Sequence, residues 1–238
     1  MYPAPVVLRE RDIQSSGMID EQRAFWSKVA PQYDRVVDLQ IGPATRGMVR
    51  DRLAREQTLG DVVELGCGTG FYTQVLAERA ARVVATDCSP GMLALAQELI
   101  TAGNVRFQVE DCQRTSLPDG AFDTVFMSLV IHFTEPLKTL TEMRRILKAG
   151  GMLIIANLDP AALRPFDRLR CWGRIIFNGL ARFRVKPPKG FGQHMLSEEQ
   201  LCTHLRDAGF NVLSRETIRD GSRSSNIPVD YVRARKVY

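Results

Sequence analysis

One ten-residue stretch, DVVELGCGTG at residues 61–70, constrains the fold of this chain more than any other. It opens as a short apolar run, which predicts a buried parallel strand, and the amphipathic residues 71–80 that follow it predict a helix. Between the two lie Gly66, Gly68 and Gly70. Glycine permits a positive φ and lets a ligand approach the main chain closely, so the stretch predicts a strand-turn-helix unit with a ligand site at its turn.

Two acidic residues narrow the chemistry of that ligand. Asp87 ends the next apolar run, residues 82–87, where a carboxylate can accept hydrogen bonds from ribose hydroxyls. Glu64 lies just before the glycines, where it would repel a pyrophosphate but suit a ligand with an ammonium or sulfonium charge. No Lys-Ser or Lys-Thr pair follows the glycines, which argues against a P-loop. The turn therefore predicts a cationic nucleoside as its ligand.

Further segments at ordered spacing carry a family resemblance. Residues 64–70 (ELGCGTG) resemble motif I of the class I S-adenosylmethionine-dependent methyltransferases, and residues 87–92 (DCSPGM) resemble their second motif. EDC at 110–112, followed by LPDGAFD at 117–123, is similar to the third motif, and LKAGGML at 147–153 to the turn into the fifth strand. The resemblance extends to most of the chain and is greatest to the ubiquinone/menaquinone C-methyltransferase-like branch, methyltransferase type 11.

Alternating strands and helices predict a three-layer α/β/α sandwich of the Rossmann-like class. The resemblance implies a seven-stranded, mostly parallel sheet of order 3-2-1-4-5-7-6 with strand 7 antiparallel. Strands are expected at 61–66, 82–87, 105–109, 122–127, 152–156, 211–218 and 229–236.

The helix signals are more local. Asp20 is a candidate N-cap for a helix that Pro31 ends, and a helical stretch covers about 43–57. Ser89-Pro90 predicts a helix start, with Leu99 on the buried side of that helix. The helix at 135–148 carries Leu137, Leu140, Met143 and Leu147 on its apolar stripe and is stopped by Gly150-Gly151, and Ser197 with Gln200 has the form of a capping box.

Length and composition indicate one globular domain over 1–238. Within it we expect a loosely held arm at 1–18, an N-terminal helical cover at 19–57 and a substrate-cap insert at 160–192. No run approaches 18 consecutive apolar residues, and the start does not have the form of a signal peptide. The five cysteines form no C-x-x-C pair, which argues against a disulfide framework or a metal site and fits a reducing cytoplasm.

The resemblance implies S-adenosyl-L-methionine as the cofactor. Asp87 would bind the ribose, Asp111 the adenine amino group and the Cys112 backbone a ring nitrogen, while Met92 lies either over the adenine or in the core. Glu64 would lie near the methionine end, directly or through water or a backbone amide. The expected cofactor-binding residues are Tyr33, Glu64, Gly66, Cys67, Gly68, Gly70, Asp87, Cys88, Met92, Asp111, Cys112, Ser128 and Leu129.

Two histidines are candidates for catalysis. Residues 127–133 (MSLVIHF) replace the Asn/Asp-Pro-Pro-Tyr signature of enzymes that methylate amines of nucleic acids, so a nucleic-acid partner is not expected. His132, at the mouth of the predicted pocket, is either a general base or a structural residue that supports the cofactor loop. His194 could face the acceptor pocket. A base is needed only for an acceptor that arrives protonated.

The basic charge of the chain is concentrated in the insert. Residues 160–192 hold eight Lys or Arg residues and one acid, a net +7, so the rest of the chain carries −2 out of the total of +5. Large apolar side chains are interspersed among these charges. The insert is therefore either a lid with solvated arginines, a peripheral contact with an anionic inner membrane surface, or a site for an acidic or phosphorylated substrate.

The sequence thus favours a methyltransferase that acts on a small or amphiphilic acceptor, such as a quinone precursor, a lipid headgroup or a secondary metabolite. The alternative is a non-catalytic sensor or scaffold that binds S-adenosylmethionine or another nucleoside. That alternative would need a damaged motif, whereas the cofactor positions here are intact. Neither the acceptor atom nor the oligomeric state follows from the sequence.

Overall fold

Seven strands pair into one sheet within the residues that the computed structural model describes, which are 17–163, 194–221 and 227–237. The order is β3-β2-β1-β4-β5-β7-β6. Neighbours from β3 to β5 run parallel, and β7 is antiparallel to both β5 and β6. The predicted order and the antiparallel seventh strand are confirmed. The strands are β1 (Asp61–Leu65), β2 (Arg82–Asp87), β3 (Val105–Val109), β4 (Phe122–Ser128), β5 (Leu147–Leu158), β6 (Phe210–Ile218) and β7 (Val229–Lys236).

Helices cover both faces of the sheet, as the α/β/α prediction requires. Successive residues of a strand point to opposite faces, so Val62 belongs to one apolar cluster and Val63 to the other. Residues of α2 to α5 complete the first cluster, and residues of α6 and α7 complete the second. The helices are α1 (Gly17–Val29), α2 (Tyr33–Ile41), α3 (Pro43–Ala54), α4 (Thr73–Arg79), α5 (Pro90–Leu99), α6 (Pro136–Ile146) and α7 (Glu198–Asp207), with short 3-10 turns at Ala30–Gln32, Ile131–Phe133 and Pro160–Ala162.

The helix starts predicted at Ser89 and at Ser197 are both present. The Ser89 hydroxyl accepts a hydrogen bond from the Met92 amide at 3.2 Å and begins α5. At α7 the Ser197 hydroxyl accepts from the Gln200 amide at 3.3 Å, and the Gln200 side chain accepts from the Ser197 amide at 2.9 Å. Because both halves of this capping box form, the start of α7 is set by local chemistry.

The junction between α6 and β5 differs from the prediction. The helix ends at Ile146, not Lys148, and β5 begins at Leu147, five residues before the predicted start at Met152. The carbonyls of Arg145 and Ile146 accept the amides of Gly120 and Ala121 at 2.9 Å, which terminates the helix before the glycine pair is reached.

Three further helix predictions were wrong in detail. Asp20 lies in the first turn of α1, because that helix starts at Gly17. Leu99, the last residue of α5, is 72% exposed. Leu137 is 46% exposed because the buried stripe of α6 follows Leu140, Met143 and Ile146 and leaves it at the solvent edge. Helix α2 was not predicted.

Two predicted segments fall largely outside the described residues. Residues 1–16 contain most of the predicted arm, and residues 164–193 contain most of the basic insert. Within the described ranges, no helix combines the length and the apolar character needed to cross a bilayer. The role of the insert therefore stays a prediction from its composition.

Leu140 and Leu137 provide a matched pair of substitutions on one helix. Leu140→Ala should lower the free energy of unfolding by about 2–5 kcal/mol, because the side chain is fully buried and its loss leaves a cavity. Leu137→Ala should cost no more than about 0.5 kcal/mol. Urea unfolding followed by circular dichroism measures both values. Equal losses from the two variants would contradict the burial assigned to α6.

Candidate active site

The turn after β1 is held by the end of β2. The Gly66 and Cys67 amides both donate to the Thr86 carbonyl at 2.8 Å, and the Gly68 amide donates to Asp87 Oδ2 at 2.9 Å. The other oxygen of Asp87 accepts from the Ser89 amide at 2.9 Å. Asp87 therefore positions the glycine turn as well as facing the cleft beside it.

Each of the three glycines of this turn has a positive φ and a close neighbour where a Cβ would lie. Gly66 has φ +76°, and an added Cβ would lie 2.4 Å from Cγ2 of Val130. Gly68 has φ +56°, and its Cβ would lie 3.1 Å from the ring of Tyr33. Side chains at these positions would close the space in which a ligand meets the backbone. Gly70 instead lies against α5, where a Cβ would reach Ile100 at 2.6 Å.

A cleft that is partly open to solvent lies beside the turn, at the carboxyl ends of the parallel strands. Nine of the predicted cofactor residues lie on its wall: Tyr33, Gly66, Gly68, Asp87, Cys88, Met92, Asp111, Cys112 and Leu129. The wall also contains eight residues that were not among the predicted cofactor residues: Ile19, Gln22, Trp26, Glu110, Gln113, Val130, Phe133 and Thr134.

Helix α1 spans the cleft and contacts both of its sides. The Gln22 side chain donates to the Phe133 carbonyl at 3.1 Å, and Arg23 Nε donates to the Cys88 carbonyl at 3.0 Å. Trp26 packs edge-on between Phe133 and Tyr33, with ring centroids 5.0 and 5.9 Å away. These contacts make α1 a cover over the cleft and give one of its walls an aromatic surface.

Four predicted cofactor residues are not on the cleft wall. Glu64 is buried behind the turn and accepts a hydrogen bond from Thr73 Oγ1 at 2.5 Å. Cys67 and Ser128 are buried, and Gly70 packs on α5. Their expected roles toward the cofactor stay predictions, and the contacts observed for Glu64 and Gly70 support the turn itself.

Neither candidate catalytic histidine is among the wall residues. His132 is 2% exposed, its ring centroid lies 3.9 Å from that of Phe133, and its Nδ1 has no hydrogen-bond partner among the described residues. Burial lowers the pKa of His132 to about 3, so its imidazole is neutral at physiological pH. His194 is exposed at the edge of the described residues. The general-base role of either histidine remains a hypothesis.

Leu129 follows β4 in a backbone conformation that a branched residue rarely adopts. Its φ is +58°, and its amide donates to the Ala156 carbonyl of β5 at 2.8 Å. This hydrogen bond holds the chain in the left-handed region, and Val130, Phe133 and Thr134, which follow it, lie on the cleft wall. Backbone strain of this kind concentrates at ligand sites.

The described wall carries acidic groups and no Lys or Arg side chain. Asp87, Glu110 and Asp111 all lie on it. Burial raises the pKa of Asp87 and of Glu110, while hydrogen bonds from neighbouring amides and side chains oppose the shift. A cationic ligand would favour the ionised form of these groups, so the electrostatics of the cleft agree with the ligand charge predicted from Glu64 and the glycines.

Comparison with known proteins identifies the family. The profile of a family described as a methyltransferase domain matches residues 63–155. The demethylmenaquinone methyltransferase of Clavibacter sepedonicus is 32% identical over 213 residues, which cover 83% of this chain and 85% of that protein. The chain belongs to the S-adenosylmethionine-dependent methyltransferases.

A second relative of this methyltransferase has a different named acceptor. The malonyl-[acyl-carrier protein] O-methyltransferase of Serratia marcescens is 31% identical over 142 residues, which cover 58% of this chain and 53% of that protein. The chain thus spans about half the length of that relative. A solved S-adenosylmethionine-dependent methyltransferase from Aquifex aeolicus superposes with a TM-score of 0.62 at 22% identity, covering 89% of this chain and 98% of the other, which shows a common fold.

The raised pKa of Glu64 gives a prediction about how the stability of the protein depends on pH. Burial raises the pKa of Glu64 to about 8, against a partly opposing hydrogen bond from Thr73, whereas an unfolded Glu titrates near its ordinary pKa of 4.5. Between those pH values the native state holds a proton that the unfolded state has lost, so the free energy of unfolding falls as pH rises. Glu64→Gln removes this loss. In the absence of cofactor, the melting temperature of Glu64→Gln minus that of the wild type should therefore become more positive from pH 5 to pH 8.

Glu78→Gln is the control for this experiment, because Glu78 is exposed on the same helix, α4, that provides Thr73. Its melting temperature should follow the wild type at every pH. A Glu64→Gln profile parallel to the wild type would show that Glu64 is ionised in the folded protein throughout this range.

Proposed function

We propose that this chain transfers the methyl group of S-adenosylmethionine to an apolar or amphiphilic acceptor with a planar ring, of the quinone-precursor class. The observation that carries the proposal is the set of aromatic and aliphatic side chains on the cleft wall, which are those of Ile19, Trp26, Val130 and Phe133. A flat apolar ring gains contact area against such a surface. The relative matched over 85% of its length is named for methylation of a demethylmenaquinone, which supports the same acceptor class.

The cofactor fits the residues of the cleft. In the proposed site the Asp87 carboxylate holds the ribose, Asp111 and the Cys112 backbone hold the adenine, and Tyr33 covers the turn at Gly68. The space left by the absent side chains at Gly66 and Gly68 supports this assignment, as does the acidic wall. When bound, the cofactor supplies an electrophilic methyl group, so the protein contributes mainly alignment and exclusion of water.

The relatives named for malonyl-[acyl-carrier protein] O-methylation suggest a carboxylate acceptor instead. A carboxylate substrate would need a cationic partner, and the described part of the wall provides none. We therefore favour the neutral ring. The proposed contact of the basic insert with an anionic membrane would suit an amphiphilic acceptor, and it rests on the composition of residues 160–192 alone.

A labelled-methyl assay separates the two acceptors. Protein and methyl-labelled S-adenosylmethionine are incubated in parallel with a demethylated naphthoquinol in detergent and with malonyl-[acyl-carrier protein]. We expect label in the solvent-extracted quinone fraction that survives alkaline hydrolysis, since a methyl group on a ring is stable to base. Label that is found only with the malonyl carrier and is released by alkali would indicate a methyl ester and overturn the proposal.

Asp87→Ala tests the cofactor site. Removing a charged hydrogen-bond acceptor costs roughly 1.5–3 kcal/mol, so the Kd for S-adenosylhomocysteine should rise by about 10- to 150-fold. Asp87→Asn retains an oxygen for the Gly68 amide and should lose less. Titration calorimetry measures both, with circular dichroism to verify folding. An unchanged Kd in a folded Asp87→Ala variant would remove Asp87 from the site.

A further inference from the structure

Arg46 is a charged side chain buried in the N-terminal cover. It lies on α3, is 4% exposed, and is not among the residues of the cleft wall. A buried guanidinium is costly unless its charge and its donors are matched by partners. The partners of Arg46 are therefore informative about why the charge is placed there.

The guanidinium lies close to two carboxylates and to one aromatic ring. Nη2 donates to Oδ1 of Asp34 on α2 at 2.5 Å, and Nη1 lies 3.5 Å from Oδ1 of Asp38. Cζ lies 3.7 Å from the ring centroid of Phe71, which is within cation–π range. Phe71 directly follows the last glycine of the cofactor turn.

The carboxylate of Asp34 extends the contact to the turn itself. Thr69, between the second and third glycines, donates its hydroxyl to both oxygens of Asp34 at 3.1 and 3.2 Å. Tyr33, the residue before Asp34, lies over Gly68. Arg46 therefore contacts Phe71 directly, and it is connected to Thr69 through Asp34. Because Asp34 follows Tyr33 in the chain, the same ion pair also restrains the backbone next to Tyr33.

We propose that Arg46 is a positioning residue that clamps helix α2 to the glycine turn and thereby sets the affinity for the cofactor. The inference rests on the proposed cofactor site beside that turn. Arginine suits the task because its planar group can donate to a carboxylate at its edge while its face stacks on a ring, whereas a lysine ammonium cannot do both. When the clamp is absent, Tyr33 and the turn are free to separate, and the bound ligand loses part of its enclosure.

The first test compares two arginines on one helix. Arg46→Met removes the clamp and keeps an apolar side chain of similar length, while Arg50→Met changes an exposed arginine whose partner is the adjacent Asp51. By titration calorimetry, Arg46→Met should raise the Kd for S-adenosylhomocysteine about tenfold, and Arg50→Met should leave it within about twofold. Arg46→Lys should restore only a small part of the loss.

A double-mutant cycle separates the clamp from a merely structural ion pair. If Arg46 acts through Asp34, the double variant Arg46→Met/Asp34→Asn should have the same Kd as whichever single variant binds the ligand less tightly. Additive losses would overturn the proposal. So would a lowered melting temperature of the ligand-free protein combined with an unchanged Kd. If Arg46→Met does not fold, Phe71→Leu removes only the stacking contact and should raise the Kd about threefold.

The outcome at Asp87 distinguishes failure of the clamp from failure of the site. A raised Kd in Asp87→Ala together with an unchanged Kd in Arg46→Met would overturn the clamp and leave the cofactor site in place. An unchanged Kd in both variants would overturn the two assignments together.

Discussion

Three consecutive amide groups anchored to the end of β2 are the constraint on which the rest of the site depends. The amides of Gly66, Cys67 and Gly68 would otherwise be buried donors without acceptors, and the Thr86 carbonyl and the Asp87 carboxylate satisfy all three. This anchoring continues the pairing of β1 with β2 beyond the last residue of the strand. It directs the chain into α4 and leaves a gap between the ends of β1 and β4, where the order of the sheet reverses direction.

The sheet provides one side of the cleft, and the residues before β1 provide the other. Most side chains that hold the cover bind to backbone carbonyls or to other polar side chains of the loops that follow β1, β2 and β4. Gln22 and Arg23 reach two of these carbonyls, and Asp34 reaches Thr69. Such contacts depend on the loops already having their final shape. The position of the cover therefore depends on the conformation of the turn, and the cover completes the enclosure of the cleft.

Much of the fold could be predicted because its signals are local in the chain. The apolar runs mark the strands, and the caps at Ser89 and Ser197 mark two helix starts. The resemblance of the glycine turn to a known motif adds the sheet order. The end of α6 could not be found this way, since it depends on the amides of Gly120 and Ala121, which approach from a distant turn. The exposure of Leu137 could not be predicted either, because helical periodicity alone does not fix where the buried stripe of α6 ends.

The same difference between local and long-range signals determines which residues of the candidate site could be predicted. Residues inside the motifs, such as Asp87 and Asp111, were predictable and lie on the cleft wall. Residues of the cover were largely missed, because Gln22, Trp26 and Arg46 belong to an amphipathic region with no motif of its own. Glu64 was predicted near the cofactor from its position in the motif, and the partner that the fold shows for it is Thr73, so its ligand role stays a prediction. Contacts between distant segments are a property of the folded chain that one sequence does not display.

The acidic wall of the cleft also bears on turnover. Donation of a methyl group converts a sulfonium into a neutral thioether, so the cofactor and its spent form differ by one positive charge. A cleft with Asp87, Glu110 and Asp111 on its wall interacts more favourably with the charged form. In the proposed cofactor site, loss of that charge on methyl transfer would therefore weaken the electrostatic part of binding at this wall.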